Sequence, residues 1–444
     1  MNKIFERKIF ENGFGRFQFH VNKEIKSLNF VLDGSISFIS MMIYDDENKL
    51  VGQIVTNKLG KRNLSSKLEC SSPGFKSLEN HGVFTVEYIN STKPGQTLYF
   101  EVNKESDSNN LSDETNLVHD RSIDGKTFSW FKGDFHTHTI FSDGKMTREA
   151  NNKQALKQGL DFFAPTDHNF THFNWPKGSP LIIPGTEITS NFGHVNLLFE
   201  TESVFEKFSL NDLIKEEDYL KILDSLEDKI FTINHPFMSD WKFMVSDFKL
   251  EHIKFMEIIN DPTYPDSKEA TRKAIRAWNV LLNNGYKVFG IGGSDSHLLP
   301  SEKYEDANLP SLIGDPISYI YAEELSISSL KKNMLEGNIS VSRLGLIELS
   351  QVDNTFEVSF TKEKTFDEGL HFDWIFDGKV IKEDTGLNSR LKLELDDNYH
   401  WLRVDLKDKY DNLYGFTNPK FFNLEKSQRN IHKWKDLCEE IFND

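Results

Sequence analysis

Cysteine is nearly absent from this chain, with two in 444 residues, Cys70 and Cys438, lying far apart. That excludes a disulfide framework and a thiolate metal cage. Long apolar runs are missing too. The opening MNKIFERKIFENG alternates charged and apolar residues and does not read as a signal peptide. No later run reaches membrane-spanning length, so a cytoplasmic protein without a membrane partner is expected. Positive charge is scarce, with 52 Lys and Arg against 69 Asp and Glu, a net charge of −17 and a pI near 5.3. A general grip on a nucleic-acid backbone is therefore not expected, leaving at most a nucleotide or strand end.

What is present is length and a changing pattern. A chain of 444 residues exceeds one core and predicts two or three domains. Residues 1–126 read as short strands, clearest at 17–21, 28–32, 37–44, 83–89 and 97–102, with 58–66 and 90–95 as turns. This predicts an N-terminal β-sandwich-like domain, followed by a polar linker or loop at 105–117. From 127 to 343 strands alternate with helices, at 161–165, 181–184, 194–199, 230–233, 255–259 and 288–291, with helices at 211–226, 267–284 and 326–336. The fold class is thus α/β. Short strands return over 344–424 as a second sandwich-like unit, and 425–444 predicts a docked amphipathic helix.

The chain is organised around GDFHTHTIFSDGK, residues 133–145. His136 and His138 stand two apart at a strand end, so their imidazoles point to one side. Four later stretches carry similar donors: Thr166-Asp167-His168, Gly185-Thr186-Glu187 with Gly193-His194, Asn234-His235-Pro236, and Gly293-Ser294-Asp295-Ser296-His297. Each is placed after an apolar strand, at the end where parallel barrels build active sites. The candidate ligands are His136, His138, Asp143, His168, Glu187, His194, His235, Asp295 and His297. This is too many for one tetrahedral site and implies two or three divalent transition metals, Zn, Mn or Fe, held by imidazole and carboxylate.

These motifs, in this order, resemble the PHP (polymerase and histidinol phosphatase) superfamily of metallohydrolases, and most closely its branch that includes bacterial carbaryl hydrolase. TDHN (166–169), GHVNLL (193–198), GGSDSH (292–297), the segment 314–343, and the later WLRVDLKD and TNPKFF carry the likeness. The resemblance implies a distorted seven-stranded (β/α) barrel flanked by the β-sandwich-like domains. It implies one metal on His136, His138, Glu187 and Asp295, a second on Glu187, His194 and His235, and a third on Asp143, His168 and His297. Many family members have histidine where Asp143 stands.

A hydroxide bridging two such metals is the expected nucleophile. Asp295, or a metal-bound histidine such as His194, is expected to manage the leaving-group proton. The leading expectation is a phosphoesterase for a small phosphorylated molecule or nucleotide. The alternatives are carbamate or carboxylic ester hydrolysis by the same cluster, and a non-catalytic binding protein. Asp134 and Asp167 read as carboxylates that orient an imidazole or cap a turn, and Glu257 as a pocket-lining group. Arg148, Arg272 and Arg343 are candidates for anion binding or for the surface. Gly144 is expected to free the backbone so that Asp143 folds back toward the His-x-His pair.

Overall fold

The computed structural model describes residues 6–68, 71–91, 97–105, 114–116, 128–366 and 369–442. Cys70, His119 and most of the expected 105–117 linker lie outside them. The chain is mixed α/β and strand-rich, built from several sheets. Among the described residues no helix is long and apolar enough to cross a membrane.

In the N-terminal region two four-stranded antiparallel sheets share one apolar core containing Phe19, Phe30, Met41, Phe84 and Phe100. Residues 58–66, expected to be a turn, contain the strand Gly60–Ser65, which pairs with Ser27–Gly34. The polar side chains of GKRNLS hide this strand, because only Leu64 and Ser65 are buried.

The middle of the chain carries β1 (Ser129–Thr137), β2 (Phe162–Pro165), β3 (Leu181–Ile182), β4 (Gly185–Ser190), β5 (Gly193–Leu198), β6 (Ile230–Ile233), β7 (Phe255–Asn260), β8 (Phe289–Gly293), β9 (Ile317–Ala322) and β10 (Ile339–Ser342). These do not form one seven-stranded ladder. One sheet runs β3-β2-β1-β9-β10 and continues into C-terminal strands, while a second runs β4-β5-β6-β7-β8. The sequence suggested a strand–helix repeat, but β4 and β5 form an antiparallel hairpin and β9 runs against both β1 and β10. Single parallel bridges, Thr137 to Ser296 and His168 to Glu187, join the two sheets where the site residues lie.

The expected boundary at 343 falls inside a continuous sheet, because β10 pairs with Leu413–Thr417. A three-stranded sheet, starting with Gly345–Val352, packs on these C-terminal strands around Phe356, Trp374 and Leu406. Of the expected helices, 211–226 is split into a 3-10 turn at Leu210–Leu213 and an α-helix at Glu216–Asp224. Ser209 accounts for the early start, since it forms a capping box with Asp212. The final helix, Trp434–Phe442, docks through Trp434, Leu437 and Ile441.

Interfaces between these regions are specific. Gln53 exchanges side-chain hydrogen bonds with the Thr171 backbone, at 3.1 and 3.2 Å. Lys58 Nζ donates to the Gly144 carbonyl at 3.0 Å. At the other end, Arg403 is completely buried between the Trp278 and Trp401 rings. It forms a two-pronged ion pair with Asp405, at 2.8 and 3.1 Å, and donates to Asn279 at 2.6 Å. Arg403→Leu strands the buried Asp405 carboxylate and is expected to cost about 3–5 kcal/mol in urea unfolding. The double change to Leu at 403 and 405 should recover much of that loss, and a single variant as stable as wild type would contradict the assignment.

Candidate metal centre

β1 delivers His136 and His138 to the same side, as their spacing predicts. Both are completely buried, and their Nε2 atoms are 3.1 Å apart. The chain beyond β8 lies alongside: Asp295 N donates to the His136 carbonyl at 2.9 Å, and His138 N to the Ser296 carbonyl at 3.3 Å. His-x-His and Asp-x-His therefore sit in register. Asp295 Oδ1 is 3.2 Å from His136 Nε2 and 3.0 Å from His138 Nε2. The His297 ring stacks on His138, with centroids 4.0 Å apart.

Glu187 is at the centre. It lies within β4 rather than after a strand, and its side chain has no solvent exposure. Oε1 lies 3.1 Å from His194 Nδ1, 3.4 Å from His136 Nε2 and 3.5 Å from His235 Nε2. Oε2 lies 2.7 Å from His168 Nδ1 and 3.4 Å from His138 Nε2. Asn234 Nδ2 also donates to Oε1 at 2.8 Å. Asp143 sits on the outer side, with Oδ1 at 3.1 Å from His297 Nε2 and 3.6 Å from His168 Nε2.

The donor set fits divalent cations. All nine candidate residues fall into four overlapping groups whose ligand atoms lie within 4.8 Å of one another. These are His138 with Asp143, His168 and His297; His136 with His138 and Asp295; His136 with Glu187 and His235; and His168 with Glu187 and His194. Asp143 Oδ1, Glu187 Oε2 and Asp295 Oδ1 are buried, and their nearest polar neighbours are imidazole nitrogens at 2.7–3.1 Å. The triangle of His136 Nε2, His138 Nε2 and Asp295 Oδ1 has edges of 3.0–3.2 Å. Ligands about 2.0–2.2 Å from a shared ion would be separated by roughly 2.8–3.1 Å at octahedral angles and roughly 3.3–3.6 Å at tetrahedral ones.

The electrostatics agree. Burial opposes charge on Glu187, yet His168, His136 and His194 hold its carboxyl well below the usual range. Asp295 is likewise held low against burial by His136, His138 and His297. Burial, with His297 and His168 nearby, drives His138 down to about 4, leaving a neutral imidazole suited to ligation. His168 and His297 are opposed by burial, but Glu187 and Asp143 lift the first to about 9, and Asp143 and Asp295 lift the second to about 10. Here protons offset the carboxylate charge that a cation would offset.

The surrounding shell divides the roles differently from the sequence expectation. Glu257 is the residue that orients an imidazole: Oε1 lies 2.8 Å from His136 Nδ1, while Oε2 accepts from His235 N at 2.8 Å. Asp134 instead staples backbone, accepting from His136 N, Ser294 N and Gly314 N. Asp167 accepts from Thr139 N and from the Thr139 and Ser142 hydroxyls, and it contacts His172. It thus shapes the loop that carries Asp143. Gly144 serves that loop by close approach: a Cβ there would lie 2.8 Å from His138 C and Thr139 N.

None of the three candidate arginines faces the cluster. Arg148 donates to Asn174, Arg272 pairs with Glu269, and Arg343 pairs with Asp315. His172 and Asp261 were not assigned to the site by sequence. Asn234 was quoted only as part of Asn234-His235-Pro236, without a role of its own, and only the packing shows where these side chains go.

After the strands, the chain turns through left-handed backbone at non-glycine residues: Asn169 at φ 52°, His235 at 28°, Asp261 at 27° and Asp295 at 48°. Such values are uncommon without glycine, and their clustering points to a functional site. A cavity of about 230 Å³ opens beside the cluster, lined by its outer donors and by Met238, Trp241, Asn260, Asp261, Tyr264 and Tyr304.

No protein-family model matches this chain, and no curated protein does. Among solved structures, it is similar to a two-domain protein from Bacteroides vulgatus containing a predicted PHP-like metal-dependent phosphoesterase. The identity is 16% and the TM-score 0.37, over 66% of this chain and 96% of that one. It is also similar to an amidohydrolase from Chromobacterium violaceum with bound sulfate and no metal. There the identity is 13% and the TM-score 0.23, over 47% of this chain and 96% of that one.

Glu257→Gln keeps the shape but weakens the hold on His136. Metal affinity, measured by competition with a chromophoric chelator, should fall roughly 10–100-fold while the melting profile stays cooperative. Unchanged affinity would remove Glu257 from the site.

Proposed function

We propose that this chain is a metal-dependent hydrolase of the PHP type, with phosphoester hydrolysis as the leading activity. The observation that supports this most is a fully buried carboxylate, Glu187, within 3.5 Å of five imidazoles, three of which, His168, His194 and His235, line the adjoining cavity. His136, His138, Glu187 and Asp295 would hold one ion, Glu187 with His194 and His235 a second, and Asp143, His168 and His297 a third. Divalent metals in such a site supply Lewis acidity toward an ester oxygen and a nucleophile drawn from water at neutral pH.

The chain's own groups do the rest in this reading. Glu257 and Asn234 fix His136 and Glu187, so that the donor atoms stay converged. His194 and Asp295 line the cavity and are assigned the leaving-group proton. Residues 1–126 are assigned a supporting role, and none of the described ones is a donor to the cluster. One contact from this region is Lys58, which anchors the Asp143 loop through Gly144.

One observation favours the alternative of carbamate or carboxylic ester hydrolysis. Among the described residues lining the cavity there is no lysine or arginine, so a dianionic phosphate would depend on the metals alone for countercharge. Metal-loaded protein should be compared on nitrophenyl phosphate mono- and diesters, nucleotides and naphthyl esters. Phosphate release is expected to be the fastest activity. Naphthyl-ester turnover without phosphate release would transfer the assignment to the carbonyl reaction, and no turnover of any ester would leave a binding protein.

Metal content should separate the sites. Gently purified protein is expected to retain about two equivalents of transition metal or more by elemental analysis. The Asp143 side chain is 34% exposed, whereas that of Glu187 is 0% exposed. Asp143→Ala should therefore keep the Glu187-linked metals while lowering turnover, and Glu187→Ala should lose them. Wild-type behaviour of Asp143→Ala would reduce Asp143 to a turn former.

A further inference from the structure

Away from the Glu187 centre, one ribbon of sheet in the C-terminal region carries another set of metal-type donors. Strand Leu370–Phe376 pairs antiparallel with His400–Asp408, and the two faces of this ribbon differ in character. Phe372, Trp374, Val404 and Leu406 turn one face into an apolar core. His371, Asp373, Arg403, Asp405 and Lys407 alternate with them and share the other face.

Most of the charge on that face is matched. Arg403 forks onto Asp405, and Lys407 Nζ lies 2.6 Å from Asp373 Oδ2. Asp408, at the strand end, accepts from Tyr410 N and Asn412 N at 2.8 and 2.9 Å and from Asn412 Nδ2 at 2.7 Å. Asp373 Oδ1 is the exception. It is buried, on a side chain only 3% exposed, and His371 Nε2 stands 3.4 Å away without forming a hydrogen bond to it. A carboxylate oxygen removed from water without a donor is costly and favours a nearby positive charge. Asp411 approaches from the turn that leads into strand Leu413–Thr417. Its amide donates to the Asp408 carbonyl at 3.0 Å, and its backbone is left-handed at φ 62°. One ligand atom from each of His371, Asp373 and Asp411 lies within 4.8 Å of the others. Ligand atoms around one Zn-sized ion are separated by roughly 2.8–3.6 Å. The 3.4 Å between His371 and Asp373 already fits, and the exposed Asp411 side chain has room to close the rest.

We infer that His371, Asp373 and Asp411 form a separate divalent-metal site for a borderline ion such as Zn, with water completing the coordination. An imidazole beside two carboxylates selects a transition ion over Mg or Ca, which take oxygen ligands. The ion answers Asp373 Oδ1 as Lys407 answers Oδ2, and it ties the turn carrying Asp411 to strand Leu370–Phe376. With three protein ligands and the Lys407 ammonium close by, it binds more weakly than a four-ligand structural zinc site. None of its ligands belongs to the Glu187 centre, and nothing in it depends on the hydrolase reading.

Equilibrium dialysis of the full-length protein against about 10 μM free Zn tests this. Wild type should hold one equivalent more than His371→Ala, and Asp411→Asn should weaken that extra equivalent about tenfold. His371 is half-buried and Asp411 exposed, so both variants are compatible with folding, which thermal melting in chelator checks. Replacing Zn by Ca or Mg should erase the difference between wild type and His371→Ala. In crystals soaked with Zn, an anomalous peak should stand about 2.0–2.2 Å from His371 Nε2. Equal zinc in wild type and His371→Ala would overturn the site and leave a plain imidazole–carboxylate contact. Wild-type affinity in Asp411→Asn would overturn the three-ligand assignment. A peak in soaked crystals with no difference in dialysis means binding at crystal concentration only, and it too would overturn the site. A difference that persists with Ca would overturn the choice of a borderline metal.

Discussion

The constraint on which the centre depends is the burial of the Glu187 carboxylate. A carboxylate removed from water is strongly destabilised unless positive charge or hydrogen bonds surround it. Here five imidazoles and one amide do so, drawn from the ends of several strands. The two sheets therefore meet where they do for an electrostatic reason as well as an apolar one. The bridge between His168 and Glu187 joins β4 to the chain following β2 at the same residue that needs the countercharge.

Around that point the fold works as a set of aimed strand ends. Apolar strands such as β6 and β8 bury their whole length. Their polar successors must then turn sharply, and they do so through left-handed backbone at His235 and Asp295. Holding such conformations requires rigid surroundings. Glu257 supplies part of this by accepting from His235 N, and Gly293 supplies another part, because a Cβ there would lie 2.2 Å from Glu257 Oε1. The N-terminal sheets and the C-terminal strands brace the same region from outside, through Lys58 on Gly144 and Arg403 on the helix Ser267–Asn283.

Much of the candidate centre was legible because ligation imposes spacing. His136 and His138 had to lie two apart to share a side of extended chain, Asp295 and His297 repeat the spacing around the left-handed turn at Asp295, and the structure brings all nine candidates together. The overall arrangement was less legible. The β4–β5 hairpin contains a helix-free reversal at Ser190 to Gly193, which an alternating strand–helix reading passes over. Strand Gly60–Ser65 was hidden by its charged, half-exposed face. The partners of Asp134, Asp167 and Glu257 are set by contacts across more than a hundred residues in two of the three cases, and no local pattern encodes those. The aromatic residues of the cavity, Trp241, Tyr264 and Tyr304, gave no signal at all, since tyrosine and tryptophan are spread through the chain and only loop packing gathers these three.

The central claim is that the imidazoles around Glu187 are arranged for metal ions rather than for a buried proton network. Anomalous X-ray diffraction from crystals soaked in Mn or Zn, collected on both sides of the metal absorption edge, tests it directly. The account requires anomalous peaks about 2.0–2.3 Å from Glu187 Oε1 or Oε2 and from at least two of the surrounding imidazole nitrogens. A well-ordered centre without such peaks, or with metal bound only elsewhere on the surface, would contradict it.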